Sequence, residues 1–219
     1  MGQSIPITTL FLDIGGVFLS NGWGHESRMK AAETFHLNQE EMESLHQQYV
    51  VKHEEGKLTL SEYLNRVVFY EKRSFTPDQF SEFMFRKSTP NGKMMEFIKL
   101  LKEQYKLKIA VINNEGRILN EFLIRKFQLS QFVDFFISSC FVHYRNPETD
   151  IFRLALDISE TPAEQAIYIE DLQTFVDVAR SMGIKSVRHM NYLSTSEVLT
   201  TLGLTIGEHK DISPMYAEC

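Results

Sequence analysis

One stretch near the start, TTLFLDIGGVF at residues 8–18, constrains the fold more than any other part of the chain. Leu10, Phe11 and Leu12 form an apolar run without polar alternation, the pattern of a strand covered on both faces. Asp13 follows at once, then Ile14, Gly15 and Gly16. A carboxylate at the end of a buried strand is costly to desolvate unless a cation meets it there. Paired glycines let the backbone turn sharply and come close to a ligand. The stretch is therefore either a plain strand and turn, or a strand tip that offers one carboxylate and bare backbone to a small polar ligand.

The following residues alternate in texture. A polar segment, SNGWGHESR, leads into helical patterns over residues 28–35, from the N-cap Asn38 to about residue 54, and after Thr59 or Ser61. A fourth helix opens at Thr76-Pro77 and runs to residue 85, with proline at its first helical position. Pro90, Asn91 and Gly92 then break the pattern. Beyond them, strands at 108–112, 132–138, 166–169 and 185–188 alternate with helices at 93–105, 117–127, 147–156, 175–182 and 194–202. This order predicts an α/β fold: a Rossmann-like parallel sheet with helices on both faces, interrupted after its first strand by an α-helical cap. The expected boundaries are a core of residues 1–18 and 91–204, a cap of residues 19–90 and a tail of residues 205–219 with no clear period.

Composition narrows the partners. A net charge of −6 over 219 residues argues against a nucleic-acid or anionic-membrane surface. No apolar run approaches the roughly 20 residues of a membrane span. The first residues lack the features of a secretory leader, and only Cys140 and Cys219 are present, so no disulfide framework is expected. The expectation is a cytoplasmic protein with a small-molecule partner and no nucleic-acid or membrane partner.

In open α/β sheets, ligands bind outside the carboxyl ends of the strands. Three predicted strands end in polar clusters: Asp13, Asn113-Asn114 and Glu170-Asp171. Each alone has an ordinary reading, as a turn or as an acidic helix N-terminus. Together, two acidic clusters on neighbouring tips repel unless a cation sits between them, and Mg²⁺ suits a site of carboxylates, carbonyls and waters.

At this point the residues resemble the haloacid dehalogenase superfamily, in its members with a helical cap after the first motif. The likeness covers about residues 8–204. FLDIGGVF resembles that family's first motif, and AVINNE its second. SSCFVHYRNPETDIF resembles the third, and IYIEDLQTFVDVARSMG the fourth. The resemblance implies that Asp13 is a nucleophile forming an aspartyl-phosphate. It implies Mg²⁺ held by Asp13, the Gly15 carbonyl, Asp171 and Glu170, and a small phosphorylated metabolite bound near Asn113, Asn114, Arg145 and Asn146.

Three positions depart from the family pattern. Gly15 stands where a general acid/base aspartate is expected, Asn113 where a Ser or Thr is expected, and Asn146 where a lysine is expected. Asn113 keeps an amide donor, while Asn146 carries no charge, and Arg145 beside it is a candidate substitute. These departures leave two readings open: a phosphatase, or a catalytically impaired relative that binds a ligand or partner. Trp23, His25 and Arg28 lie where a cap would meet the site, either contacting substrate or packing a hinge. His143 is expected to be a solvated loop residue and Cys140 a small buried one.

Overall fold

The computed structural model describes residues 5–207. Strand β1 (Thr9–Leu12) is completely buried, as its unbroken apolar run predicts. Four helices follow it: α1 (His25–Phe35), α2 (Gln39–Glu54), α3 (Leu60–Val67) and α4 (Pro77–Phe85). They close over an apolar cluster of their own that includes Ala31, Met42, Tyr63, Leu64, Phe80 and Met84. Local chemistry sets their starts. Asn38 Oδ1 accepts the Glu41 N–H, and Thr59 and Thr76 form reciprocal capping boxes with Glu62 and Gln79. Such caps contribute about 1 kcal/mol each. Helix α1 starts at His25, three residues before the expected position, behind an N-cap Gly24 that offers no side-chain cap.

The chain enters and leaves this insert along one line. Ser20 N–H donates to the Thr89 carbonyl at 2.9 Å, and Asn91 N–H donates to the Phe18 carbonyl at 2.8 Å. Both connections are thereby tied to the turn that follows β1, which keeps the insert above the tip of that strand.

The remaining chain is α5 (Gly92–Tyr105), β2 (Lys108–Asn113), α6 (Arg117–Lys126), β3 (Phe135–Ser138), α7 (Ser139–Val142), α8 (Thr149–Ser159), β4 (Ala166–Glu170), α9 (Gln173–Ser181), β5 (Lys185–Arg188) and α10 (Tyr192–Thr201). The five strands are parallel in the order β3-β2-β1-β4-β5. Leu12 sits in register with Val111 on one side and Ile169 on the other. Strand side chains alternate between faces. Leu10 and Leu12 join the cluster with α5, α6 and α10, whereas Phe11 joins the one with α8 and α9. The α/β fold with helices on both faces is as the sequence predicts.

Three local expectations are corrected. Strand β3 begins at Phe135 rather than 132, because Asp134 is held by Ile109: its carboxylate accepts the Ile109 N–H at 2.8 Å, and its own N–H donates to the Ile109 carbonyl. The short helix α7 has no periodic signal of its own. Thr205 is not loose, since Gln104 and Tyr105 hydrogen-bond its carbonyl; of the expected tail, residues 208–219 lie outside the described residues. No helix among the described residues is long and apolar enough to cross a membrane.

Candidate active site at the strand tips

Because β2, β1 and β4 are neighbours, their polar C-terminal ends meet. Asp13, Glu170 and Asp171 each bring one carboxylate oxygen to within 4.8 Å of the others. Burial at this tip, then the charges of Glu170 and Asp171, hold the Asp13 carboxyl well above its ordinary pKa. Burial and the neighbouring Asp171 likewise push Glu170 up to about 8. Two donors fix Glu170: the Tyr168 hydroxyl at 2.6 Å on Oε2 and the Leu172 N–H at 3.0 Å on Oε1. Asp171 accepts from Asn21 Nδ2 at 2.8 Å. Glu170 and Asp171 are thus oriented by neutral groups, with the Asp13 carboxylate beside them. An all-oxygen, acidic donor set of this kind fits a hard divalent cation such as Mg²⁺.

The two glycines after Asp13 differ in what they require. Gly16 has φ +75°, and a Cβ there would lie 2.3 Å from Asp171 Oδ2, so both backbone and space demand glycine. Gly15 has no left-handed backbone; a Cβ there would meet Asn21 Oδ1 at 2.8 Å. The absent side chain at 15 leaves room for Asn21.

The asparagines expected to meet a substrate are largely engaged with the protein. Asn113 is buried, with Nδ2 donating to Asn120 Oδ1 at 3.0 Å and Oδ1 accepting from Ser138 at 2.6 Å. Asn114 clamps the backbone of Asn146, accepting its N–H at 2.8 Å and donating to its carbonyl at 2.9 Å. Asn146 precedes a cis proline and is 1% exposed. Its Nδ2 donates to the Tyr168 hydroxyl oxygen at 3.1 Å. Arg145 reaches the cavity but is paired with Glu54 of α2, its Nη2 2.6 Å from Oε2.

The insert and the strand tips enclose a cavity of about 770 Å³ that holds Asp13, Asp171, Asn113, Asn146 and Arg145 on one side. Trp23, His46, His53, Glu54 and Tyr63 face it from the other. Trp23 both lines the cavity and packs edge-on against Phe80. Arg28 is used structurally: it bonds both oxygens of Glu43 and the Trp23 carbonyl, and this contact holds Glu43 down to about 2. His25 lies 3.7 Å from the same Glu43. His143 is an exposed loop residue, as expected, and its Nδ1 lies 2.7 Å from the Glu55 carbonyl. Cys140 is fully buried, as expected.

Four site residues escape sequence reasoning. Tyr168 carries a detectable signal, since a strand period of two puts it on the same face as Glu170. Glu115 follows the β2 tip within a turn-like sequence; burial, then Glu54, raise its carboxyl to about 8. Asn21 and Glu54 have no local signal, because each meets a partner about 90 to 150 residues away.

These features agree with the sequence comparisons. The family model of the haloacid dehalogenase-like hydrolases matches residues 26–189, and the chain belongs to that family. None of the curated proteins matches it in sequence. Among solved structures, it is similar to a HAD family enzyme from Bacteroides thetaiotaomicron, with a TM-score of 0.76 and 18% identity over 89% of this chain and 99% of that one. The wild-type form of that enzyme in complex with magnesium and inorganic phosphate matches with a TM-score of 0.68 and 15% identity, covering 83% of this chain and 93% of that one. The L-2-haloacid dehalogenase of Xanthobacter autotrophicus, with chloropropionic acid covalently bound, matches with a TM-score of 0.61 and 12% identity, covering 91% and 85%. At these identities the likeness is one of fold.

Proposed function

We propose that this protein is a Mg²⁺-dependent phosphatase for a small phosphomonoester, with the insert of residues 19–90 acting as a cap over a core of residues 1–18 and 91–204. The observation that carries this reading is the convergence of Asp13, Glu170 and Asp171 within 4.8 Å. The magnesium and phosphate complex of the Bacteroides relative supports it, and the acidic pair favours it over dehalogenation, which needs no metal-binding carboxylates. Mg²⁺ would be held by Asp13, the Gly15 carbonyl and Asp171, with Glu170 alongside, and would offset charge on the phosphoryl oxygens.

In this reading Asp13 attacks phosphorus as the bond from phosphorus to the ester oxygen breaks, the alcohol leaves with a proton taken from cavity water, and a second water hydrolyses the aspartyl-phosphate to inorganic phosphate and free Asp13. Covalent catalysis of this kind splits one hard step into two easier ones. Tyr168 and the Leu172 N–H hold Glu170 in place, and Asn21 holds Asp171, so the acidic residues need little reorganisation. Asn114 fixes the Asn146 loop beside them. The cap limits water at the site and shapes the substrate pocket.

A second reading, a ligand-binding relative with impaired chemistry, is favoured by one observation: the Asn113 and Asn146 amides bond protein groups, and Arg145 is paired. One experiment separates the two. Sugar phosphates, nucleotides and small phosphate esters are screened with Mg²⁺, alongside melting curves in Mg²⁺ and in chelator. The phosphatase reading expects turnover with at least one ester class and a Mg²⁺-dependent rise in Tm that Asp171→Ala abolishes. Stabilisation by Mg²⁺ without any turnover supports the binding reading.

A further inference from the structure

We infer that Glu115 is the general acid of the site: its carboxyl gives a proton to the departing ester oxygen, and its carboxylate then takes one from the water that attacks the aspartyl-phosphate. The inference rests on the phosphatase reading above and changes one part of it, naming Glu115 rather than cavity water as the source of the leaving group's proton.

The need for such a group comes from the strand tip. Position 15 carries no side chain, so the turn after β1 offers a nucleophile at Asp13 and no acid two residues on. An alcohol expelled as a bare alkoxide is a poor leaving group, and a positioned acid is worth about 10²–10⁴ in rate. In phosphoryl transfer the leaving oxygen lies roughly in line with the attacking one, on the far side of phosphorus. With Asp13 at the strand tip, that direction runs away from the sheet and towards the insert.

Glu115 stands where core and insert meet. Its N–H donates to Ser139 Oγ at 3.1 Å, and that hydroxyl donates to the carbonyl of Glu54, at the end of α2, at 2.6 Å. His53 of α2 packs onto the next residue, since a Cβ at Gly116 would lie 2.0 Å from His53 Nε2. The Glu115 side chain lines the same cavity as Asp13. It is near enough to add, after burial and the acidic pair, to what raises the Asp13 carboxyl. Its Oε1 accepts the Gly116 N–H at 2.8 Å. Oε2 takes no hydrogen bond from the described residues, and the half-buried side chain is not sealed off from the cavity.

No cation holds this carboxyl ionised. Arg145 is paired with Glu54, and Arg117 donates to the Cys140 carbonyl and faces Glu121. Lys87 lies 3.7 Å over the Phe83 ring, and Lys30 is exposed. Burial and the charge of Glu54 therefore keep Glu115 protonated near neutral pH. The other candidates in the cavity are used otherwise. His53 is neutral, with Nδ1 facing the Leu58 carbonyl at 3.1 Å, so Nε2 carries no proton to give. Burial, then Arg28, lowers His46 to about 4, and burial raises the Tyr63 phenol. His25 is exposed, 3.7 Å from Glu43.

The test measures kcat and kcat/KM for the full chain and for Glu115→Gln, with Mg²⁺, on an alkyl phosphate and on para-nitrophenyl phosphate. Nitrophenolate departs without a proton, so only the alkyl ester calls on the acid. In Glu115→Gln, kcat/KM should fall about 10²-fold or more on the alkyl ester and stay near wild type on the aryl one. The aryl ester should also release a burst of nitrophenolate before a slower steady rate, because hydrolysis of the aspartyl-phosphate has lost its base. Glu115→Asp, which keeps an acid on a shorter stem, should recover part of the alkyl rate. An unchanged alkyl rate in Glu115→Gln overturns the inference, because water then suffices. An equal fall in kcat/KM on both esters also overturns it, because the residue then serves binding or folding. Wild type that turns over the aryl ester alone keeps the phosphatase reading and removes the acid. Wild type inert on both esters overturns the two together.

Discussion

Arg145 and Glu54 meet across the cavity, core to insert, with Arg145 Nη2 2.6 Å and Nε 3.2 Å from the same oxygen, Glu54 Oε2. Burial raises the Glu54 carboxyl above its ordinary value despite this cation, so the pair does not fully offset its own desolvation.

An asymmetry follows for the two halves of that pair. Glu54→Gln removes a charge the site holds at a cost, and it leaves an arginine that can reach cavity water. Its effect on stability should be under about 1 kcal/mol, the range of exposed pairs. Arg145→Ala strands a largely buried carboxylate and should cost more, about 2–3 kcal/mol, below the full penalty of a broken buried pair. Freeing Arg145 should also tighten inhibition by inorganic phosphate in Glu54→Gln. Urea melts and phosphate inhibition constants for both variants check this; equal destabilisation would contradict it.

Asp13 is expected to trade stability for chemistry. It is one of three mutually repelling carboxylates. Asp13→Asn should abolish turnover and raise Tm in chelator, because one buried charge is gone. The gain should shrink or reverse when Mg²⁺ is added, since the metal loses a charged ligand. Melting curves with and without metal read this directly.

Glu115 should make the fold sensitive to alkaline pH. Its carboxyl titrates near 8 in the folded chain, against about 4.5 ordinarily. Between those values the unfolded chain has released the proton that the folded chain keeps. Stability therefore falls as pH rises through that window, and the contribution of this one group is lost in full only above about 8. Glu54 and Glu170 shift the same way. Glu115→Gln stays neutral in both states, so its stability should decline less from pH 5 to 8.5. Parallel profiles for wild type and variant, from denaturant melts across that range, would count against it.

Restoring a carboxylate at position 15 should fail for a steric reason rather than a conformational one. The backbone of Gly15 accepts any residue, but a Cβ meets Asn21. Gly15→Asp alone should displace Asn21 from Asp171 and destabilise by about 1–2 kcal/mol, within the usual range for a disrupted polar network. Paired with Asn21→Ala, the cost should be less than additive, with a coupling of about 0.5–3 kcal/mol. A double-mutant cycle on Tm, with alkyl phosphate hydrolysis followed in parallel, measures it.

The sequence alone determined β1 and its carboxylate, the parallel sheet, the four-helix insert, and the acidic pair that ends β4. Each of these is written in a local pattern: an unbroken apolar run, an alternation of strand and helix periods, or a cap such as Asn38, Thr59 or Thr76. Only the tertiary structure decided what the polar side chains do. Asn113 is absorbed by Asn120 and Ser138, Arg145 by Glu54, and Asn21 fills the space beside Gly15. Glu115 looks like a turn residue until folding half-buries it near Glu54. The physical reason is that a hydrogen bond or ion pair depends on a few tenths of an ångström between groups far apart in the chain. Periodicity places a side chain on a face, but packing chooses its partner.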